Sequence, residues 1–428
     1  MKEIGVGIIG LGVVGSGVYE TLALHSDEIA RRTGVKLVVK KAVDLDESRR
    51  DELNIPSDVF TKDAKEATCG ESVDIVIELI GGYSPAGEFI IESLSNGKHV
   101  ATANKALLAK QGGELVELAL ENGVDLCFEA SVAGGIPILK AAREGLAANN
   151  ISDIYGIVNG TCNYILTQMT YENMDFDTAL KEAQEKGFAE ADPTLDIEGD
   201  DSAHKLAILA SIAFNTRVDF ADVYIEGITG ITHADVEYAG ELGYVIKLLA
   251  IAKGNGKEAE LRVHPALVSK DSLLASVRGE YNALLLEGDV VGTTMYYGKG
   301  AGKLPTASAI VSDLIDIGKN MQFDSALRSK PFTYATERRI RHIEEITSLY
   351  YLRFEALDDP GVLSHISGIL GKYGISIASV IQKDHDRGQH VPLIMMTHEA
   401  VERNIRRALD EIDAGGRVQG KSMLIRIV

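Results

Sequence analysis

The sequence predicts an α/β chain in three parts: an N-terminal Rossmann-like doubly wound parallel sheet, an α+β middle part with a mixed sheet, and a C-terminal ferredoxin-like module. Three observations predict it. Strand, glycine turn and helix alternate from residue 4 to about residue 130, the pattern of a parallel sheet covered by helices. After Ile151 the alternation gives way to helices mixed with longer strand patterns. Residues 348–428 then read strand–helix–strand–strand–helix–strand, the ferredoxin-like order. A chain of 428 residues is too long for one core. We therefore read domains at 1–134, 135–321 and 348–428 and a linker at 322–347, with the last helices of the middle part able to pack back on the first.

Residues 4–9 form a short buried strand. Gly10-Leu11-Gly12-Val13-Val14-Gly15 follows at once, and a helix opens near Ser16. This is G-x-G-x-x-G between a strand and a helix, the setting that dinucleotide binding requires. Gly10 permits a tight turn, Gly12 lets the backbone approach a pyrophosphate, and Gly15 lets helix and strand pack closely. The helix N-terminus then faces the phosphates. A second strand at 36–43 ends at Asp44, placed to take the ribose hydroxyls of NAD. Lys40, Lys41, Arg49 and Arg50 are close enough in sequence to serve the 2′-phosphate of NADP, so either cofactor remains open.

The strand 74–80 runs into Gly81-Gly82, and the strand 98–103 runs into Asn104-Lys105. Loops at the carboxyl ends of such strands line the ligand crevice. Lys105 is either a crevice cation or a solvated lysine opening a helix. A further strand, 126–129, ends at Glu129 and a glycine turn through Pro137. Carbonyls and one carboxylate there could hold a hard cation, or only turn the chain.

In the middle part, Asn159-Gly160-Thr161 is a turn between a strand and a helix. Helices are expected around 177–187 and 201–214, and strands at 221–229, 260–268, 279–287 and 289–298. Gly298 to Gly302 is a glycine loop, either closing over a nucleotide or connecting freely. A helix follows with Pro305 in its first turn. The most charged stretch is Glu190 to Lys205, which holds Glu190, Asp192, Asp196, Glu198, Asp200, Asp201 and Lys205. A helix should begin near Asp200, putting Asp201 and Lys205 four apart on one face. That pair is either a surface ion pair at a helix start, or a catalytic ammonium held by a carboxylate beside acids that grip a polar substrate.

Composition narrows the function. The net charge of −20 argues against nucleic acid and against an anionic membrane surface. No apolar run reaches about 18 residues, so no bilayer span is expected. The first ten residues read as strand and loop rather than signal peptide. Cys69, Cys127 and Cys162 are widely spaced, without metal-site spacing, and read as reduced cysteines of a cytoplasmic protein.

Taken together, Ala103-Asn104-Lys105, the segment Glu129 to Pro137, Asn159-Gly160-Thr161-Cys162-Asn163 and the acidic stretch from Glu190 to Lys205 resemble homoserine dehydrogenase over nearly the whole chain. The C-terminal module, with Asp359-Pro360-Gly361-Val362-Leu363, resembles an ACT domain, a common amino-acid-sensing unit. The resemblance implies NAD- or NADP-dependent interconversion of L-homoserine and L-aspartate 4-semialdehyde, on the branch leading to threonine, isoleucine and methionine. It makes 135–321 a catalytic and dimerisation domain and the chain a homodimer or homotetramer. It implies Lys205 as the catalytic lysine, with Asp201 and Lys105 beside it. Glu190, Asp196, Asp201, Lys105, Gly160 and Thr161 would bind substrate. Gly10, Gly12, Val13, Val14, Gly15, Asp44, Asn104, Lys105, Gly160 and Gly302 would contact cofactor. Glu129, Val132, Gly134 and Ile136 would hold a structural sodium ion, largely through carbonyls. Val43 stands where many members carry an arginine for the 2′-phosphate. The ACT-like module implies feedback control, most naturally by threonine.

The chemistry fits those residue types. Hydride transfer from an alcohol needs its proton removed, and a lysine can take it or return it. Lys105 would be a second cation beside Lys205, while Asp201 would orient it. Two rival readings are an amino-acid sensor using the nucleotide fold as scaffold, and another Rossmann oxidoreductase, such as an aspartate dehydrogenase or a semialdehyde dehydrogenase with Cys162 as nucleophile.

Overall fold

The computed structural model describes residues 3–328, 332, 334–383, 386 and 388–428. Ser329, Lys330, Pro331 and Thr333 of the expected linker, and Asp384, His385 and Arg387 of the C-terminal module, lie outside the described residues, as do Met1 and Lys2. The chain divides into two compact units. The first comprises Met1–Ile154, His204–Ala221 and Tyr281–Arg338, and the second Tyr155–Ala203, Asp222–Glu280 and Arg339–Val428.

The first unit holds a six-stranded parallel sheet in the order β3-β2-β1-β4-β5-β6. The strands are β1 (Glu3–Ile9), β2 (Lys36–Val43), β3 (Phe60–Thr61), β4 (Ile75–Glu78), β5 (His99–Thr102) and β6 (Leu126–Cys127). The chain runs outward from β1 to β3, then returns to β4 on the other side of β1. The strand order therefore reverses between β1 and β4, where doubly wound folds place their ligand. β1 and β4 are apolar almost throughout because both faces of a parallel sheet are covered. One face carries α1 (Val13–Thr33) and the helix Lys303–Gln322. Val18 and Leu22 of α1 share a buried cluster with Ile4, Val6, Ile8, Ile310, Leu314 and Ile317. Each such side chain contributes roughly 1.5–3 kcal/mol by burial, enough to fix the late helix on the early sheet.

The second unit is built on a mixed sheet. Tyr244–Gly254 pairs antiparallel with Glu258–Ser269. That strand pairs parallel with the final strand, Met423–Ile427, through Ala266 opposite Arg426 and Leu267 opposite Ile427. The sheet thus continues into the C-terminal module, whose strands run antiparallel in the order Met423–Ile427, Thr347–Leu357, His390–Thr397, Ile377–Ile381. Helices Val362–Lys372 and Glu402–Ala414 cover it through Ile366, Leu370, Ile405, Leu409 and Ile412. This is the expected ferredoxin-like arrangement.

The elements depart from expectation in a few places. The strand Tyr244–Gly254 and the helix His233–Glu241 have no counterpart in the sequence reading. The strand expected at 221–229 shrinks to Tyr224–Ile225, because the chain then turns so that Ile228 N–H donates to the Ile197 carbonyl. The strand expected at 126–129 stops at Cys127, and Glu129–Ser131 is a 3-10 turn. α1 begins at Val13 rather than Ser16.

Candidate active site

At the end of β1, Gly10 has φ +95°, and a Cβ there would lie 2.8 Å from Ile80 and 3.0 Å from the Leu79 backbone. A Cβ on Gly15 would lie 1.9 Å from the Gly10 carbonyl oxygen. Both positions demand glycine. Beside Gly12 there is open space within 4 Å, the room a pyrophosphate needs. Gly12 is also the N-cap of α1 and supplies no side chain to satisfy its first N–H groups, so they remain for an anion. Val13 is exposed and Val14 half-buried at this end.

Asp44 Oδ2 accepts from Leu11 N–H at 2.7 Å, and its Oδ1 accepts from Asp46 N–H at 2.9 Å. Its carboxylate therefore buttresses the glycine loop from the tip of β2. The four nearby cations are already paired: Lys40 with Glu3 at 3.4 Å, Lys41 with Glu66 at 2.6 Å, Arg49 with Glu52 at 2.8 Å and Arg50 with Asp51 at 2.8 Å. Gly302 also belongs on this side of the first unit. The residue after it, Lys303, packs on α1 so closely that a Cβ on Gly17 would lie 2.7 Å from its carbonyl oxygen.

Asn104 caps the helix Lys105–Glu121 by accepting from Leu107 N–H at 3.2 Å, and its amide donates to the Gly82 carbonyl at 2.7 Å. Lys105 is the first residue of that helix and is half-buried.

Glu129 is buried, 3% exposed, and its two carboxylate oxygens accept from Leu139 and Lys140 N–H, both at 2.8 Å. Burial first, and then the nearby Asp313 charge, push its carboxyl up to about 7. Val132, Gly134 and Ile136 follow in a turn with positive φ at Ala133 and Gly134. Among the described residues no group of three or more His, Cys, Asp or Glu could hold a metal ion. A cation here would rest on carbonyls, hard oxygen donors suited to sodium.

The second unit gathers the polar side chains of the middle part. Asn159 caps the helix Gly160–Tyr171, accepting from Cys162 N–H at 2.8 Å. Its amide donates to Asp196 at 2.7 Å and to Asp201 at 2.8 Å. The Thr161 hydroxyl lies 2.9 Å from the other Asp196 oxygen and 2.6 Å from the Phe188 carbonyl, and can donate to either. Gly160 packs on the Glu280 backbone, where a Cβ would come within 2.8 Å of the carbonyl oxygen. Asp196, Asp201, Thr161 and Gly160 are thus brought together around Asn159. Glu190 is exposed and takes no part in this network. The Cys162 thiol is buried and donates to the Asp196 carbonyl at 3.1 Å, a poor setting for a nucleophile.

Asp201 opens the helix Asp200–Ala213, and Lys205 lies one turn along it, half-buried. Asp201 is only 7% exposed and bound by Asn159. The surface-pair reading therefore fails for the carboxylate. Asn159, the hub of these acids, has no role of its own in the sequence motif. A side-chain cap at a helix start was the available signal.

Three family models match the chain: one described as homoserine dehydrogenase over residues 137–315, one as homoserine dehydrogenase, NAD binding domain, over 10–129, and one as ACT domain over 350–414. The homoserine dehydrogenase of Neisseria gonorrhoeae is 44% identical, covering 100% of this chain and 99% of its own length. That of Pseudomonas aeruginosa is 45% identical with the same coverage. The crystal structure of a homoserine dehydrogenase from Thiobacillus denitrificans matches with a TM-score of 0.95 at 45% identity, over 100% of this chain and 99% of that one. A hyperthermophilic archaeal homoserine dehydrogenase in complex with NADPH matches with a TM-score of 0.64 at 28% identity, over 74% of this chain and 98% of that one.

Proposed function

The chain belongs to the homoserine dehydrogenase family, and from that premise we propose that Lys205 is its general acid and base in the reversible NAD(P)-dependent interconversion of L-homoserine and L-aspartate 4-semialdehyde. The observation that carries this reading is the Asn159 hub, which fixes Asp201 one helical turn before Lys205 and ties it to Asp196 of the preceding short helix. The hydride chemistry belongs to the nicotinamide when it is bound. In the reducing direction the Lys205 ammonium polarises the aldehyde oxygen and gives it a proton. In the oxidising direction the neutral amine takes the hydroxyl proton. Asp201 orients the lysine, Lys105 adds a second cation, Glu190 holds the substrate ammonium, and Asp196 is a further acid of the substrate site. Gly160 and Thr161 complete the substrate contacts.

Gly10, Gly12, Val13, Val14 and Gly15 hold the pyrophosphate, with Asn104, Gly160 and Gly302 as further cofactor contacts. Asp44 faces the ribose end. The archaeal relative is in complex with NADPH, while Val43 and the engaged cations favour no 2′-phosphate contact. Sodium would sit on the carbonyls of Val132, Gly134 and Ile136 beside Glu129. The enzyme serves threonine, methionine and isoleucine synthesis as a cytoplasmic homodimer or homotetramer. None of its three cysteines is in a disulfide, in keeping with a reducing compartment. Among the described residues no helix is long and apolar enough to cross a membrane.

The ACT domain supplies feedback through threonine. A cavity of about 460 Å³ lies at its first strand–helix loop, lined by Asp358, Asp359, Gly361, Leu363 and Gln382. A ligand there regulates only by binding two states unequally. The test follows NADPH and NADH oxidation with aspartate semialdehyde, with and without threonine. Turnover that threonine slows is the expected result. No turnover with either cofactor would sink the reading, and turnover indifferent to threonine would reduce the module to assembly.

A further inference from the structure

Glu78 ends β4 at the point where the strand order reverses, and it is fully buried, 0% exposed. Its Oε1 accepts from Ile80 N–H and Gly81 N–H, both at 2.9 Å. Its Oε2 accepts from the Thr102 hydroxyl at 2.7 Å. Thr102 is its register partner at the end of β5. The Thr102 oxygen in turn accepts from Asn104 N–H at 3.0 Å, and the Asn104 amide returns to the Gly82 carbonyl at 2.7 Å. One carboxyl group therefore joins the loop after β4 to the loop after β5. The loop after β1 is joined as well, because Gly10 packs on Leu79 and Ile80. A buried carboxyl is costly unless its oxygens are satisfied, and three neutral donors satisfy this one.

We propose that Glu78 is a positioning residue: it locks the Ile80–Gly82 loop against the start of the Lys105 helix, and so sets both the cofactor crevice and the placement of Lys105. This rests on the reading of Lys105 given above. Glu78 touches neither substrate nor reacting atoms. It acts through Ile80, Gly81, Thr102 and Asn104. Glycines at 81 and 82, both with positive φ, give the loop little stiffness of its own. The bonds from Glu78 supply that stiffness. A helix start displaced by about 1 Å is enough to cost about 10²-fold in rate.

The experiment compares Glu78→Leu, Glu78→Gln and Lys105→Ala in the full chain. NADPH and NADH affinities are read by fluorescence titration, and kcat and KM by steady-state kinetics. Glutamine can still accept both amide protons through its carbonyl oxygen and donate to Thr102, so Glu78→Gln should stay within about threefold of wild type. Glu78→Leu should weaken cofactor binding about tenfold and lower kcat about tenfold or more, with homoserine KM within about threefold. On the Lys105→Ala background, Glu78→Leu should lower kcat by less than about threefold, because the two act through one group.

A folded Glu78→Leu with wild-type cofactor affinity and kcat overturns the inference, and so does a fully additive loss with Lys105→Ala. If Lys105→Ala alone keeps wild-type kcat, the mechanistic reading fails, and cofactor affinity still judges Glu78. Should Glu78→Leu not fold, Thr102→Val cuts the same link. It should then lower both kcat and cofactor affinity about threefold, and no change in either overturns the inference.

Discussion

Asn159 combines two functions that no carboxylate could. Its carbonyl oxygen caps a helix, and its amide protons neutralise the mutual repulsion of Asp196 and Asp201. Aspartate at this position would still cap the helix. It would also turn a donor into a third anion against two others. Asn159→Asp should therefore leave the fold standing and lower kcat/KM by about 10- to 100-fold, since a lost bond to a charged group is worth about 1.5–3 kcal/mol. Circular dichroism and steady-state kinetics check both halves, and an active Asn159→Asp enzyme would dismiss the hub. Lys205→Ala carries the companion prediction. It should lower kcat by roughly 10²–10⁴, the usual contribution of acid–base catalysis, with NADPH affinity near wild type. An unchanged kcat removes Lys205 from the mechanism.

At the scale of elements, the strand Tyr244–Gly254 shows what a sequence hides. Its central residues are buried on both faces, so the alternation that marks a half-buried strand is missing. An apolar run of that kind reads equally as helix or strand. The parallel sheet was legible because short apolar strands alternate with helices and glycine turns follow β1 at Gly10 and β4 at Gly81 and Gly82. The helix at Asp200 was legible from its acids and the apolar run behind them. What the sequence could not yield was partnership: that Asp44 supports the glycine loop, or that Asn159 joins two acids from different turns.

The same strand carries a testable consequence. Lys247 is 2% exposed, donates to Asn163 Oδ1 at 2.9 Å and also bonds the Val277 carbonyl. Burial, and then the charge of Arg278, pull its ammonium down to about 7. In the unfolded chain it titrates near the ordinary lysine value. Between those values the unfolded state binds more protons, so stability rises with pH, by at most about 1.4 kcal/mol per unit. Below about pH 7 both states are charged and the slope vanishes. Lys247→Met lacks this slope. Urea unfolding at pH 6, 7.5 and 9 should show the wild type gaining on the variant as pH rises, and parallel curves would rule out the neutral lysine.

At the scale of the molecule, the C-terminal module is continuous with the mixed sheet of the second unit, and its last strand brings a charge into the join. Arg426 is 0% exposed, and its Nε donates to Glu402 Oε2 at 2.9 Å. It also donates to Glu226 at 3.1 Å and lies over the Tyr224 ring. Glu402 is 0% exposed as well and accepts from the Tyr350 hydroxyl at 2.9 Å. Burial raises the Glu402 carboxyl, but the Arg426 guanidinium, joined by Arg406 and the Tyr350 hydroxyl, outweighs it and holds the group below its ordinary value. Because its folded value is depressed, the stability it contributes is present above the ordinary carboxylate value and is lost as pH falls through the folded one. Breaking one half of such a pair costs about 3–5 kcal/mol, whereas replacing both halves with apolar groups is often neutral. Arg426→Met should therefore destabilise the chain by about that amount, measured by urea unfolding at pH 7. Arg426→Met combined with Glu402→Leu should recover most of the loss and unfold less steeply in acid than the wild type. A double variant as unstable as Arg426→Met would mean that the arginine matters for its contacts with Glu226 and Tyr224, and that the seam between module and sheet does not depend on the buried pair.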